Sequence, residues 1–310
     1  MKDKIKSVKT LNDLVEIVGE ILYMDDEKVN KVIDRIRSIT KNYVQRNKLK
    51  SLVMGVSGGL DSAVVAALSE EKYTGIPLIG LSIPMSSSNA HREQAEWVGN
   101  NYCSVFEEFT EWDDTNNGAL KDVLDVLEKT DAIAERAGFD VKSFPKNILQ
   151  GNVKARLRMI TLYDLARKTG GLVLSTDNYS EYNVGFWTLC GDVGDFSQIQ
   201  FLTKGFEVPQ LAKALGIRDD IITQPPSDGL GVTDENTDEA QLGADYKTLD
   251  TVLMIELGKL EVPDEIKILL KEKLHSIPEQ DVVNNLISKH KSTEFKRQGS
   301  FFITRDLLFS

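Results

Sequence analysis

The run Ser57-Gly58-Gly59-Leu60-Asp61-Ser62 constrains this chain more than any other, because of what flanks it. The apolar stretch Leu52-Val53-Met54-Gly55-Val56 precedes it, and the helical pattern Ala63-Val64-Val65-Ala66-Ala67-Leu68 follows at once. Strand, glycine turn and helix in that order build an anion cradle. Glycines let the backbone turn sharply and bring N–H groups close to an oxyanion, because no Cβ blocks the approach. The helix that follows aims its unsatisfied N–H groups and positive dipole end at the same spot. Ser57 and Ser62 add hydroxyl donors, and Asp61 can hold the divalent cation that accompanies a polyphosphate. A serine- and glycine-rich surface turn is the plainer alternative, and the flanking strand and helix argue against it.

The rest of the chain supplies a frame for such a turn. Short, almost wholly apolar runs at 52–56, 77–83 and 171–174 suit parallel strands covered on both faces. Helical patterns near 90–101, 119–137 and 147–168 lie between and beside them. This alternation predicts a doubly wound α/β fold, a mostly parallel sheet flanked by helices, with ligands at the carboxyl ends of the strands. The glycine turn falls at that edge, and so does Ser175-Thr176-Asp177. Val29, Val32, Ile33, Ile36, Ile39 and Tyr43 recur at helical spacing over 27–48, within a helical N-terminal segment spanning 1–50. Patterns at 246–257, 264–275 and 279–290 predict a C-terminal helical layer over 245–292. One domain over 1–310 is expected. The stretch 223–236, with Pro225-Pro226-Ser227-Asp228-Gly229-Leu230-Gly231, lacks periodicity and reads as a lid over the phosphate site.

Charge narrows the partners. A net charge of −11 argues against gripping a nucleic-acid backbone, which needs a basic surface. No apolar run reaches membrane-spanning length, and Met1-Lys2-Asp3-Lys4 lacks a signal-peptide core, so neither a membrane nor an export route is expected. Cys103 and Cys190 stand far apart in no metal-ligand spacing, which disfavours zinc and a disulfide scaffold and points to the cytoplasm. His91, His275 and His290 fall in no recognised motif and read as structural or exposed.

Three further runs carry candidate chemistry. In Gly151-Asn152-Val153-Lys154-Ala155-Arg156, a helix sets the Arg156 guanidinium beside the Asn152 amide; it suits a carboxylate or phosphate, or simply forms a solvated face. The stretch from Ser175 through Gly194-Asp195 places Asp177, Glu181, Asp192 and Asp195 near the end of a strand. Glu181 is well placed as a second cation carboxylate with Asp61, while Asp177 reads equally as a helix cap. Lys204, after Phe201-Leu202-Thr203, meets a phosphate or decorates the surface; spacing leaves both open.

The glycine turn is neither a Walker A loop nor a dinucleotide fingerprint. It resembles the PP-loop of the ATP pyrophosphatases, which cleave ATP between the α and β phosphates. Taken in order, Gly55 to Ser62, Gly151 to Arg156, Ser175-Thr176-Asp177 with Glu181, Leu202-Thr203-Lys204, Asp238-Glu239 with Leu242-Gly243, and Glu294-Phe295-Lys296-Arg297 resemble the ammonia-dependent NAD synthetases over about residues 25–300. The resemblance implies an adenine nucleotide alpha hydrolase-like fold, and a homodimer that uses ATP, Mg2+ and ammonia to amidate deamido-NAD. It implies ATP contacts at Gly55, Val56, Ser57, Gly58, Gly59, Leu60, Asp61, Ser62, Thr176, Lys204 and Ser227, and magnesium at Asp61 and Glu181. It implies deamido-NAD contacts at Arg156, Asp192, Asp195 and Lys296, with Asp61, Glu181, Lys204 and Asp192 carrying the chemistry. About fifty residues precede the turn, too few for the amidase domain of glutamine-using relatives, so free ammonia is the expected donor.

The chain also departs from the pattern. Asn178-Tyr179-Ser180 stands for the usual His-Ala-Ala, Leu189 for a lysine, Ser227 for a threonine and Phe295 for a histidine. Another PP-loop amidating or thiolating ligase is the nearest alternative. A non-catalytic ATP- or NAD-binding sensor is the alternative from a different class.

Overall fold

Five short strands, β1 (Leu52–Gly55), β2 (Leu78–Ser82), β3 (Val105–Glu108), β4 (Leu172–Ser175) and β5 (Phe196–Ser197), form one sheet in the order β3-β2-β1-β4-β5. Every pairing is parallel, with Val53 registered against both Ile79 and Val173. The computed structural model describes the chain except for residues 86–87, 113–118, 228–236, 300–302, 304, 306–307 and 309–310. From β1 the chain steps outward to β2 and β3, then returns to the other side of β1 for β4 and β5. That reversal leaves the carboxyl ends of β1 and β4 adjacent, with loops departing to opposite sides, and a crevice opens between them. The glycine turn leaves β1 there and Thr176 leaves β4 there.

Alternation along the strands explains why both sheet faces are covered. Leu52, Met54 and Val56 pack to one side, against helices Asp26–Asn47, Leu60–Leu68, Asn89–Tyr102 and Glu207–Ala214. Val53, Leu81 and Val173 pack to the other, against Lys146–Thr169 and Leu120–Glu128. A strand with apolar residues on both faces has no side to offer water, hence its unbroken hydrophobic run.

The expected strands at 52–56, 77–83 and 171–174 are β1, β2 and β4. β3 and β5 carry weaker signals because they are edges: β3 reads Val-Phe-Glu-Glu with three of its four residues exposed, and β5 has two residues. The pattern over 119–137 divides into Leu120–Glu128 and Asp131–Arg136. The C-terminal layer forms as expected from Tyr246–Glu256, Asp264–Leu274 and Gln280–Ser292, and it recruits the chain's beginning. Ile5, Leu11, Leu14, Ile17 and Val18, from helices Lys2–Lys6 and Leu11–Ile21, are buried in the same cluster as Leu249, Val252, Leu270 and Leu286. A reciprocal cap between Thr10 and Asp13 starts the second of these helices.

Two adjacent glycines in the turn do different work. Gly58 has φ +83°, and a Cβ there would lie 2.3 Å from the His91 carbonyl oxygen, so the turn presses on the first residues of Asn89–Tyr102. Gly59 has φ −79° and sits at the N-cap of Leu60–Leu68, where a Cβ meets only the Ser57 hydroxyl at 3.4 Å. Gly58→Ala therefore costs about 2 kcal/mol or more, because strain and a backbone clash add. Gly59→Ala changes stability by no more than about 0.5 kcal/mol. Denaturant midpoints measured on both variants check the contrast, and equal midpoints contradict it.

Candidate active site

The glycine turn is braced from within. Ser57 Oγ accepts from the Gly59 N–H at 3.2 Å and lies 3.1 Å from Ser62 Oγ, which donates to the Gly59 carbonyl at 2.9 Å. No side chain caps helix Leu60–Leu68. A helix N-terminus that its own chain leaves uncapped, behind a glycine turn, suits an anion. Gly55, Val56, Ser57, Gly59, Leu60, Asp61 and Ser62 line a cavity of about 620 Å³, joined by Thr176, Glu181, Asp192, Lys204 and Ser227. Gly58, turned toward His91, is not among the lining residues.

Lys204 stands at the centre. Its Nζ lies 3.0 Å from Asp61 Oδ2, 2.9 Å from Glu181 Oε1 and 3.6 Å from Asp238 Oδ2, and 4.5 Å from the centre of the Tyr246 ring. The Tyr246 hydroxyl donates to Asp238 Oδ2 at 2.8 Å. Asn178 Nδ2 donates to Asp61 Oδ1 at 3.3 Å. Asn178 is also the N-cap of Tyr179–Val184, in a reciprocal box with Glu181. The cap falls on Asn178 where the sequence suggested Asp177. Asp177 instead braces the end of β4, accepting from Ser175 Oγ and from Gln200 Nε2.

Three carboxylates around one ammonium leave an excess of negative charge. Burial pushes the Glu181 carboxyl up to about 8; Lys204 opposes that rise, while Asp61 and Asp238 add to it. Burial works against charge on Lys204 too, yet Asp61 and Glu181 hold its pKa well above the ordinary value. Lys204 is therefore an ammonium throughout the physiological range.

Among the described residues, no group of three or more His, Cys, Asp or Glu is arranged to hold a metal ion. Magnesium does not require one, since one or two carboxylates plus phosphate oxygens and water complete its shell. Asp61 and Glu181 fit that need, being hard oxygen donors that flank a single point now taken by the Lys204 ammonium.

The substrate-side candidates divide. Asp192 lines the cavity, and its Oδ2 accepts from the Thr188 N–H. Arg156, Asp195 and Lys296 are not among the lining residues and instead fasten the stretch 185–195. Arg156 Nε donates to the Leu189 carbonyl at 3.2 Å, and Asp195 Oδ1 accepts from the Tyr163 hydroxyl at 2.9 Å. Lys296 Nζ donates to the carbonyls of Gly185 at 2.7 Å and Trp187 at 2.6 Å. Asn152, on the same helix as Arg156, accepts from Thr188 Oγ1. Both residues thus hold the segment that brings Phe186, Trp187 and Asp192 to the cavity wall.

Sequence reasoning missed several lining residues. Asp238 belonged to a quoted run but gave no sign of reaching Lys204, and Tyr246 read only as the start of a helical pattern. Arg158, two residues past Arg156, donates to the Ile83 carbonyl at 3.1 Å and lines the cavity. His91 also lines it, between Ser88 Oγ and the Gln224 side chain, with burial lowering its pKa; His275 is exposed and bonds Glu256, and His290 bonds the Asn183 carbonyl. Thr223 to Ser227 form part of the wall, and positions 228–236 of the expected lid lie outside the described residues.

Comparison with known proteins agrees with this geometry. The sequence pattern of the family described as NAD synthase matches residues 32–300. The NH(3)-dependent NAD(+) synthetase of Methanocaldococcus jannaschii is 33% identical over 274 residues, covering 87% of this chain and 95% of the relative. That of Finegoldia magna is 35% identical over 228 residues, covering 72% and 84%. In fold, the chain resembles an NMN synthetase from Francisella tularensis (TM-score 0.68, 22% identity, covering 88% of this chain and 98% of that one). It also resembles the NH3-dependent NAD synthetase from Campylobacter jejuni (TM-score 0.65, 22% identity, 91% and 100%). With a glycine turn, two carboxylates and a lysine converging where β1 and β4 end, and with a match over residues 32–300, the chain belongs to the NAD synthase family.

Proposed function

We propose that this protein converts deamido-NAD to NAD at the expense of ATP, with ammonia as nitrogen donor, releasing AMP and pyrophosphate. The observation that carries the reading is the Lys204 ammonium held between Asp61 and Glu181 on the wall shared with the uncapped glycine turn. Ammonia does not displace oxygen from a carboxylate directly, because the oxygen is a poor leaving group. In the reaction assigned here, the nicotinate carboxylate attacks the α-phosphorus of ATP, giving an acyl adenylate and pyrophosphate. Ammonia then attacks the activated carbonyl and AMP departs.

The protein's part is positioning and charge stabilisation. The turn amides and the hydroxyls of Ser57 and Ser62 receive the two outer phosphates, and Thr176 and Ser227 face the same nucleotide. Lys204 offsets the charge that grows on the departing pyrophosphate. Asp61 and Glu181 would hold Mg2+, which supplies Lewis-acid neutralisation of phosphate oxygens when bound. Asp192, on the cavity wall, takes the proton that ammonia sheds. Arg156, Asp195 and Lys296 shape the 185–195 wall against which deamido-NAD lies.

The setting follows from the same surface. Cys103 and Cys190 are unbridged, which supports a reducing compartment, the cytoplasm. Among the described residues no helix is long and apolar enough to cross a membrane. Val126, Ile133, Phe139, Phe144, Ile148 and Ile160 are all exposed within residues 120–160, apolar area that supports a homodimer.

Purified protein mixed with ATP, Mg2+, ammonium and deamido-NAD is expected to yield NAD, AMP and pyrophosphate in equal amounts. Formation of ADP, or of AMP without deamido-NAD, overturns the reading. Asp61→Ala lowers NAD formation by on the order of 10²-fold or more with an unchanged circular-dichroism spectrum. Turnover retained in that variant removes Asp61 from the mechanism. Sedimentation gives about twice the 34.6 kDa chain mass, and a monomer at micromolar concentration rejects the dimer.

The raised pKa of Glu181 carries a signature in the ligand-free protein. A carboxyl whose folded pKa exceeds its unfolded value favours folding while protonated; that contribution is complete below 4.5 and lost as pH climbs toward about 8. The melting temperature of ligand-free protein relative to Glu181→Gln should therefore fall between pH 5 and 8. A difference that rises with pH contradicts the burial of this charge.

A further inference from the structure

Asp250 is a buried acid, 1% exposed, for which the chemistry above has no use. It lies on helix Tyr246–Glu256, one turn beyond Tyr246 and on the same face. Tyr246 reaches Asp238, while Asp250 reaches beneath Lys204. Its Oδ2 accepts from the Gly205 N–H at 2.8 Å, and its carboxylate also takes a hydrogen bond from the Ser180 hydroxyl. Ser180 is fully buried, and its Oγ accepts from the Lys204 N–H at 2.8 Å. The bonds form one continuous relay: Lys204 amide to Ser180 hydroxyl, Ser180 hydroxyl to Asp250, and Gly205 amide to Asp250.

We propose that Asp250 is a positioning residue for Lys204, acting through the Ser180 hydroxyl and the Gly205 amide; this rests on the role given to Lys204 above. The relay pins two consecutive amides, those of 204 and 205, to the residue just before Glu181. The root of the lysine side chain and the helix bearing the glutamate are thereby fixed as one unit. A carboxylate suits this task because both donors can be met by acceptor lone pairs, whereas an amide side chain adds an N–H that one of them would face. Gly205 permits the approach: a Cβ there would lie 2.8 Å from Asp250 Oδ2 and 2.7 Å from the Lys247 nitrogen.

A merely structural Asp250 would tie one helix to the rest and nothing more. Steady-state kinetics and calorimetric titration with α,β-methylene-ATP and Mg2+ separate the two roles. Asp250→Asn is expected to lower kcat by about tenfold, the scale of a misplaced charge-stabilising group, with KM for deamido-NAD within twofold. Ser180→Ala lowers kcat in the same direction by a smaller factor. In a Lys204→Met background, adding Asp250→Asn should change the affinity for the ATP analogue by less than twofold, against a several-fold loss in the native background. The same several-fold loss in both backgrounds overturns the proposal. If Asp250→Asn does not fold, Ser180→Ala decides, and an unchanged kcat in that variant overturns it. Wild-type protein that makes no NAD refutes the functional reading. Wild-type activity matched by Asp250→Asn refutes the role of Asp250 alone.

Discussion

The burial of one ammonium among three carboxylates organises the rest of the molecule. Such a group is tolerated inside a protein only while its partners stay in place, because breaking a buried pair strands a charge in a poorly polarisable medium. Here the three partners come from the helix after the glycine turn, the helix after β4 and the short helix that begins at Asp238, and the ammonium itself comes from a fourth segment, the loop bearing Lys204. Each needs its own support, and each has it. Asn178 ties Asp61 to the cap of the Glu181 helix, Tyr246 holds Asp238, and Thr203 and Glu207 hydrogen-bond reciprocally across the Lys204 loop.

Sheet topology decides where this cluster can be assembled. With β1 central and the chain doubling back to β4, two loops leave neighbouring strand ends in divergent directions. One carries an uncapped helix start, favourable to phosphate, and the other carries acids, favourable to a cation. A nucleotide polyphosphate with its counter-ion needs both within a few ångströms. Trp187 and Asp192 line the same cavity as the glycine turn and Lys204.

Much of this was legible in the residues, and the gaps have physical causes. β1, β2 and β4 announce themselves because a doubly covered strand has no polar face, whereas β3 and β5 are edges whose short, mixed runs carry little pattern. The glycine turn was readable from its flanks alone. Glu181 could be nominated from its place after a strand, but Lys204 only through the family resemblance, since by spacing alone a single lysine after Leu202-Thr203 looks like any surface cation. Its role depends on a fold that draws residues 61, 181 and 238 around it. The reach of Asp238 to Lys204 and the burial of Asp250 were invisible for the same reason: isolated acids on helices are ordinarily solvated, and only tertiary packing buries these. Arg156 and Lys296 show the converse, residues well marked by motif whose present bonds go to backbone carbonyls of the 185–189 segment.

The joining of the chain's beginning to its C-terminal helices bears on how the protein is made. Ile5, Leu14 and Ile17 leave the ribosome well ahead of their packing partners around Leu249, Leu270 and Leu286, which follow more than two hundred residues later. At about 5–20 residues per second, that interval lasts on the order of 10–50 s. Throughout it an amphipathic segment waits with its greasy side uncovered, while the sheet and its flanking helices can already condense. The helical layer that buries residues 5–18 cannot close until Leu249, Leu270 and Leu286 have been made.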